Sequence, residues 1–470
     1  MAKLQLGVSD VEIKNLTLES SSFMGGVPYD LVPHLKELNI YETIWSNSLK
    51  ANVTLDEAIN LPAKFPIVGE ERVKFNIGIP GISSSPSDGL SLVNELPMFV
   101  HKTSNRKLTA PQSQSFSLEL VSAAYMNNLH TRISKSYCDL RADQIAWRVF
   151  ADYLWSGQEY SRGEFEDCHK LEQCVIPKWS PFKTLNWLAS RATSKKNPDC
   201  ANYVFYETLM GFNFRSIDSM IIKDPLLLFS MEPAHDDPTK VEALASTTEP
   251  LPVVKCDSID LVHQPEMVKN INRGCYASKL ITHDIITKKI TQHSYDLNQS
   301  WSKTAHLNST PPVTFKERQN LASNKNISFG PLSDKDKENQ VSGSGLNNFS
   351  DSLVMFAPKH DKMYAQKPLH EYDNKVEDWM LQRNSQMTLF DGTKFFVQCG
   401  GIPALRVGMC ADIHMMSPEA HREHGTDRDN KLSGKCLITA IRHVISQQGG
   451  SQEYKTQLEL NKDGVERDNV

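Results

Sequence analysis

The residues with the most chemical potential gather at a few places. His414, His421 and His424 lie close together with Glu419 and Glu423 among them, a set of types that could ligate a metal ion. The order His421-Arg422-Glu423-His424 is not the spacing of a zinc protease, whose two histidines sit one helical turn apart. The segment from Ser417 to Asn430 reads instead as a solvated polar hairpin loop. Cys168, His169 and Cys174, with Cys200 further on, could hold zinc. The chain has no Cys-x-x-Cys pair, which structural zinc sites usually contain, so ordinary thiols beside a helical core are the stronger reading. Ser342-Gly343-Ser344-Gly345 lacks the flanking strand and helix of a nucleophile elbow, and there is no Gly-Lys-Ser/Thr phosphate loop.

Tyr203, Phe205, Tyr206, Phe212 and Phe214 alternate along two segments and could offer a stacking platform for single-stranded nucleic acid. A net charge of −5 and the lack of interleaved Lys and Arg favour a barrel core plus a contact between copies. Arg215 pairs either within the fold or across an interface, and Lys195-Lys196 is a solvated turn. No residue is assigned a catalytic, cofactor-binding or metal-ligating role, and no cofactor is expected.

The elements that position the aromatics are readable. Ser180 can cap a helix, and Pro181 suits its first turn, where a missing N–H costs nothing. Phe182, Leu185, Leu188, Ala189 and Ala192 then fall on one helical face. Ser194-Lys195-Lys196-Asn197-Pro198-Asp199 ends the helix. Tyr203–Thr208 and Phe212–Ile217 follow as a hairpin turned at Gly211. Strand character is expected to continue through Ser219–Ile222 and Leu226–Phe229.

At 470 residues the chain calls for roughly two to four domains. Its 39% hydrophobic and 23% charged residues are ordinary for a globular protein. No apolar run is long enough to span a bilayer, and the first ten residues lack an apolar signal core. Nine scattered cysteines suit reduced thiols in a cytosol. From Val11 to Leu129 short alternating segments predict strands, with one brief helix near Asp56–Leu61. Tyr137–Trp155 predicts a helix capped by Asp139, and Lys375–Ser385 a second, short one. Phe329–Asn348 reads as a mobile loop by composition. Thr393–Gln398, Gly408–Ile413, Lys435–Ile445 and Glu453–Leu460 read as strands, the last two a hairpin across Gly449-Gly450.

The run Ser-Pro-Phe-Lys-Thr-Leu-Asn-Trp-Leu-Ala-Ser-Arg-Ala from Ser180, then Asn-Tyr-Val-Phe-Tyr-Glu-Thr from Asn202 and Gly-Phe-Asn-Phe-Arg-Ser-Ile-Asp from Gly211, carries a family resemblance. It resembles the central baseplate hub protein of large contractile-tailed bacteriophages. The C-terminal pattern, a Gly-Met turn into a strand, Ser-Gly-Lys, Ile-Arg-His and a final Tyr-x-Thr-x-Leu strand, is similar to the same family.

The resemblance implies an α+β, mainly antiparallel β fold with two tube-type β-barrel domains, a small helical domain and an inserted domain. The expected division is 1–130 for the first barrel and 131–201 for the helical or mixed domain. The discontinuous second barrel takes 202–252 and 388–462. The insertion takes 253–387 with a flexible loop at 329–348, and 463–470 is a loose tail. The implied function is a homotrimeric ring that adapts a sixfold tail tube to a threefold cell-puncturing spike. The ring forms part of the exit channel, through which DNA passes without specific binding. Implied partners are the tail tube protein and the spike, with the tape-measure protein and baseplate wedge proteins as further candidates. The implied location is the virion tail baseplate, assembled in the host cytoplasm. Two rivals are a virion-associated hydrolase and a host-receptor-binding tail component.

Overall fold

The structure is a computed structural model that describes residues 11–20, 27–64, 67, 69–78, 92–94, 97–155, 162–231, 251–263, 266–310, 350–359, 374–416, 429, 431–448 and 451–465. The expected loop at 329–348, the residues His421 and His424 with their neighbouring glutamates, and the Gly449-Gly450 turn lie outside the described residues.

The N-terminal strands are β1 (Glu12–Glu19), β2 (Tyr29–Asp30), β3 (Leu35–Thr43), β4 (Lys50–Glu57), β5 (Arg72–Gly78), β6 (Leu92–Val93), β7 (Met98–Ala110) and β8 (Ser113–Val121). In the middle lie β9 (Ile133–Arg141), β10 (Arg162–Phe165), β11 (Leu171–Trp179), β12 (Tyr203–Thr208) and β13 (Gly211–Ser216). The rest are β14 (Leu228–Ser230), β15 (Val253–His263), β16 (Ala277–Asp284), β17 (Ile290–Asp296), β18 (Val354–Lys359), β19 (Thr393–Gly400), β20 (Cys410–His414), β21 (Gly434–Gln448) and β22 (Ser451–Lys462). The fold is mainly β, with few helices.

One sheet runs β2-β1-β5-β7-β8-β4-β3-β21-β20-β14-β15-β19-β22, and β22 pairs back onto β21. That last pairing closes β21, β20, β14, β15, β19 and β22 into a barrel. β14 pairs in parallel with both its neighbours, so the barrel is mixed rather than purely antiparallel.

β21 is the joint. Its first residues, Gly434–Leu437, pair with β20. From Ala440 to Ser446 it pairs with β3 of the N-terminal strands. Between them the register against β22 shifts at Ile438/Ala440, a bulge of the kind that re-aims a strand. The Thr439 hydroxyl there donates to the Glu459 carbonyl at 3.3 Å, and the Thr439 carbonyl accepts from Ile44 N–H at 3.0 Å.

Period-two alternation explains which sides are buried. Tyr454, Thr456, Leu458 and Leu460 of β22 point inward and are all at least 98% buried, as their spacing predicts. The barrel core gathers Phe229, Phe395, Ile413, Leu458 and Leu460. The N-terminal strands enclose a second core with Leu16, Leu38, Val53, Phe75 and Leu118, joined by Ile445 and Tyr454 from the far end of β21 and β22.

The Pro181–Arg191 helix forms as expected, with Ser180 at its cap position, Pro181 in its first turn and Phe182, Leu185, Leu188 and Ala189 buried. The hairpin β12–β13 also forms, with Gly211 at φ +125°, a conformation that favours glycine. It lies in a separate three-stranded sheet, β10-β13-β12. Its two faces serve different cores: Tyr203, Phe205, Phe212 and Phe214 join the helical core, and Val204 and Tyr206 join the barrel core. β15, at the start of the expected insertion, is a barrel strand between β14 and β19.

Several local expectations are corrected. Asp139 is no helix cap: it sits in β9 at φ +52°, and the helix runs Ala142–Val149 with Arg141 at the cap position. Asp56 and Glu57 end β4, and the short helix is Leu61–Lys64. Ile217–Ile221 is helical, with Ser216 Oγ accepting from Ser219 N–H, so Ser219–Ile222 is not a strand. The expected Lys375–Ser385 helix is Met380–Phe390, after a single tight turn at Val376–Asp378. The start of the C-terminal tail is not loose, because Asp463 is buried and tied to His306 and Leu307.

Candidate functional surface

The residues singled out for metal chemistry are dispersed. His414 is buried in β20, with Nδ1 3.5 Å from Ser230 Oγ. Cys168, Cys174 and Cys200 are buried, and that burial pushes the Cys168 and Cys200 thiols well up and Cys174 to about 11. Among the described residues no group of three or more His, Cys, Asp or Glu side chains is placed to hold a metal ion. The hairpin aromatics are packed inside; Phe205 and Phe212 stack with centroids 5.8 Å apart. Arg215 pairs within the fold, with Nη1 2.8 Å from Glu164 Oε2 and its remaining nitrogens donating to Ser219.

The organised feature is a face of sheet. β7, β8, β4, β3, β21, β22, β19 and β15 follow one another edge to edge, so their outward residues fall in register across both β units. One row runs Tyr41, Arg442, Gln457, Gln398, Ser258. The next runs Thr43, Ala440, Glu459, Phe396, Asp260. On the other side come Lys102, Glu119, Asn52, Asn39, Val444, Lys455 and then Ser104, Ser117, Thr54, Glu37, Ser446, Glu453.

Side chains in these rows bond one another. Arg442 Nε donates to Asn39 at 2.9 Å and its Nη1 to Gln457 at 3.2 Å, while the guanidinium lies 5.7 Å from the Tyr41 ring. Gln457 donates to Gln398 at 2.9 Å, and Thr54 and Ser117 hydroxyls are 3.1 Å apart. A depression of about 660 Å³ lies over β3, β21, β22, β19 and β15, with Tyr41, Phe396 and Arg442 among its lining residues. Lys102, Arg442 and Lys455 face Glu119, Glu37 and Glu453 at 3.2, 3.4 and 2.9 Å, which offsets their charge, while Lys50, in register with Tyr41, is exposed with no carboxylate partner among the described residues. Chemically the face is a broad, hydrogen-bonded polar wall.

Beneath it, the seam between the β units and the hairpin buries ionisable groups that sequence patterns did not single out. Arg406 Nε lies 3.9 Å from Glu42 Oε1, with both residues buried. Burial raises the Glu42 carboxyl, against the pull of Arg406 and the Leu209 N–H. Glu207 is pushed up to about 7, by burial first and against its hydrogen bonds to Ser122 and the Leu49 N–H. His443, whose Nδ1 is 2.7 Å from the Tyr454 hydroxyl, is pushed down to about 3 by burial and then by the Arg406 charge. The one available signal was a glutamate inside the aromatic run Tyr203–Thr208.

No family model and no curated protein matches the chain. Similar solved structures include a tail protein from Neisseria meningitidis MC58, at 10% identity and TM-score 0.49, covering 96% of this chain and 97% of that one. The 43 kDa tail protein of prophage MuSo2 from Shewanella oneidensis is 10% identical with TM-score 0.47, covering 96% and 99%. The E. coli c3393 protein is a type VI secretion component with structural similarity to the T4 bacteriophage tail proteins gp27 and gp5. It is 7% identical with TM-score 0.40, covering 96% and 76%.

Proposed function

We propose that this chain is a structural protein of a contractile-tail baseplate, three copies of which form the hub ring between tail tube and cell-puncturing spike. The observation that carries the reading is a mainly polar sheet face that continues through eight strands of two β units, joined by the pairing of β3 with β21. A sheet buried on one side and polar on the other is suited to line a wide passage. In this reading the N-terminal strands and the closed barrel are the two tube-type units. Three chains then present six similar units toward a sixfold tube while keeping threefold symmetry toward a spike. On this face Lys102, Arg442 and Lys455 each lie against a carboxylate, which suits a channel that DNA crosses without being held.

Native mass spectrometry of the purified protein, alone and with its spike partner, tests this reading. A homotrimer is expected in at least one of the two samples. A monomer in both removes the hub ring and returns the hydrolase and receptor-binding readings to consideration.

A further inference from the structure

The small sheet β17-β16-β18 has one covered face and one bare face. Leu280, Tyr295 and Ala357 are buried in a core shared with Leu381 and Leu389 of the Met380–Phe390 helix. On the opposite face the register sets Ile281 between Gln292 and Phe356, and His283 between Ile290 and Pro358. Phe356 and Ile290 are 66% and 60% exposed. The turn from β16 to β17 adds Ile285 and Ile286, 64% and 68% exposed. Single exposed apolar residues are ordinary, but a cluster of this kind marks a contact surface.

The tip is built, not loose. Asp284 Oδ1 accepts the N–H of Ile286 at 2.9 Å and of Thr287 at 3.1 Å, and Asp284 N–H donates to the Lys289 carbonyl at 2.9 Å. Nearby, Lys279 pairs with Asp351 and Lys359 with Glu377. Lys288 and Lys289 are exposed, and among the described residues neither has a carboxylate partner. The charge left over at the tip is therefore positive and adjoins its aliphatic side chains, in a chain whose net charge is −5.

We propose that this hairpin tip docks on an anionic lipid bilayer surface, with Ile285 and Ile286 entering the acyl boundary and Lys288 and Lys289 meeting headgroup phosphates. Charge complementarity selects this occupant. A projecting aliphatic tip with an adjoining cationic pair matches the layering of an anionic bilayer, apolar within and negative at its rim. Lysine stems also reach along apolar surface while their ammonium groups stay in water. The inference rests on the tip alone and is independent of the hub reading.

The test is flotation of the full chain with phosphatidylcholine vesicles, with and without phosphatidylglycerol. Co-flotation is expected with the anionic vesicles, weaker with phosphatidylcholine alone, and reduced by added salt. The double variants Ile285→Asp/Ile286→Asp and Lys288→Glu/Lys289→Glu should each lower binding by about tenfold or more. Because these side chains are exposed, circular dichroism and elution volume should not change. Failure of the unaltered chain to float with anionic vesicles, or undiminished binding by either double variant, overturns the proposal and points to a protein partner for this face.

Discussion

Glu42 and Glu207 reach in opposite directions across one seam. Glu42, on β3, accepts the N–H of Leu209 in the hairpin turn at 2.9 Å; Glu207, on β12, accepts the N–H of Leu49 just before β4 at 2.9 Å. Each carboxylate satisfies a main-chain donor on the other's element, so the N-terminal strands and the hairpin are latched reciprocally.

This latch makes stability depend on pH. Burial raises the Glu207 carboxyl from 4.5 to about 7 in the folded protein. A raised acid favours the folded state at low pH: its contribution is complete below about 4.5 and is lost as pH rises through about 7. At about 1.4 kcal/mol per pH unit, that window is worth about 3 kcal/mol. Glu207→Gln should remove only this contribution, so that the variant's stability rises with pH across the window relative to the unaltered protein, because His443 acts over most of the same range with the opposite sign. The check is denaturant unfolding of both proteins across the window, and equal slopes would mean Glu207 is not held as described.

His443 should act with the opposite sign. Its folded value of about 3 lies below the ordinary 6.5, so its contribution is present above pH 6.5 and is lost as pH falls. By about pH 5 the loss is about 2 kcal/mol. His443→Gln should remove the acid loss below about pH 4.5 and, between about 4.5 and 6.5, leave the opposite Glu207 contribution unopposed, so that stability there falls as pH rises. If acid destabilises both proteins alike, the buried imidazole is not the cause.

Asp463 gives a third expectation. Its Oδ2 is 2.7 Å from His306 Nδ1 and its Oδ1 accepts the Leu307 N–H at 3.0 Å, while the His306 ring stacks on Trp301 with centroids 3.4 Å apart. Asp463→Ala leaves a buried donor unmet, at a cost of about 1–3 kcal/mol. A chain ending at Lys462 should lose at least as much. Thermal unfolding that matches the full chain in both cases would return Asp463 to the loose tail that its polar sequence suggests.

How much of this was legible depended on distance along the chain. The Pro181–Arg191 helix and the β12–β13 hairpin could be read because their cap, periodicity and turn glycine are local. The inward face of β22 could be read because a period of two fixes it. The Ile217–Ile221 helix was missed because a short apolar run does not distinguish helix from strand, and the deciding contact, Ser216 Oγ with Ser219 N–H, is one polar residue outside it. The polar face was invisible because no local pattern states that β3 lies beside β21, about four hundred residues away. The buried seam was hidden for the same reason: Glu42, Glu207, Arg406 and His443 come from four separate segments. Only the apolar character of both faces of β12 hinted that the hairpin is covered on two sides.

Gly401 supplies the sharpest test of the barrel's join to the N-terminal core. Its N–H donates to the Tyr454 carbonyl at 3.0 Å, and a Cβ placed on it would lie 1.9 Å from Tyr454 Cδ1. The Tyr454 ring cannot retreat easily. It is 98% buried, belongs to the N-terminal core and has its hydroxyl 2.7 Å from His443. One extra methyl therefore forces backbone or ring to shift, and overpacking of this kind costs about 1–3 kcal/mol or more. Gly401→Ala should lower stability by at least that much, with loss of soluble yield. Tyr454→Leu alone also destabilises, since it empties part of the core, but combined with Gly401→Ala it should restore part of the loss, because the clash and the cavity share one space. Measured as a double-mutant cycle by chemical unfolding, a favourable coupling is the expected result. Additive losses would mean that Gly401 is needed for its backbone alone and that the Tyr454 ring does not rest on it.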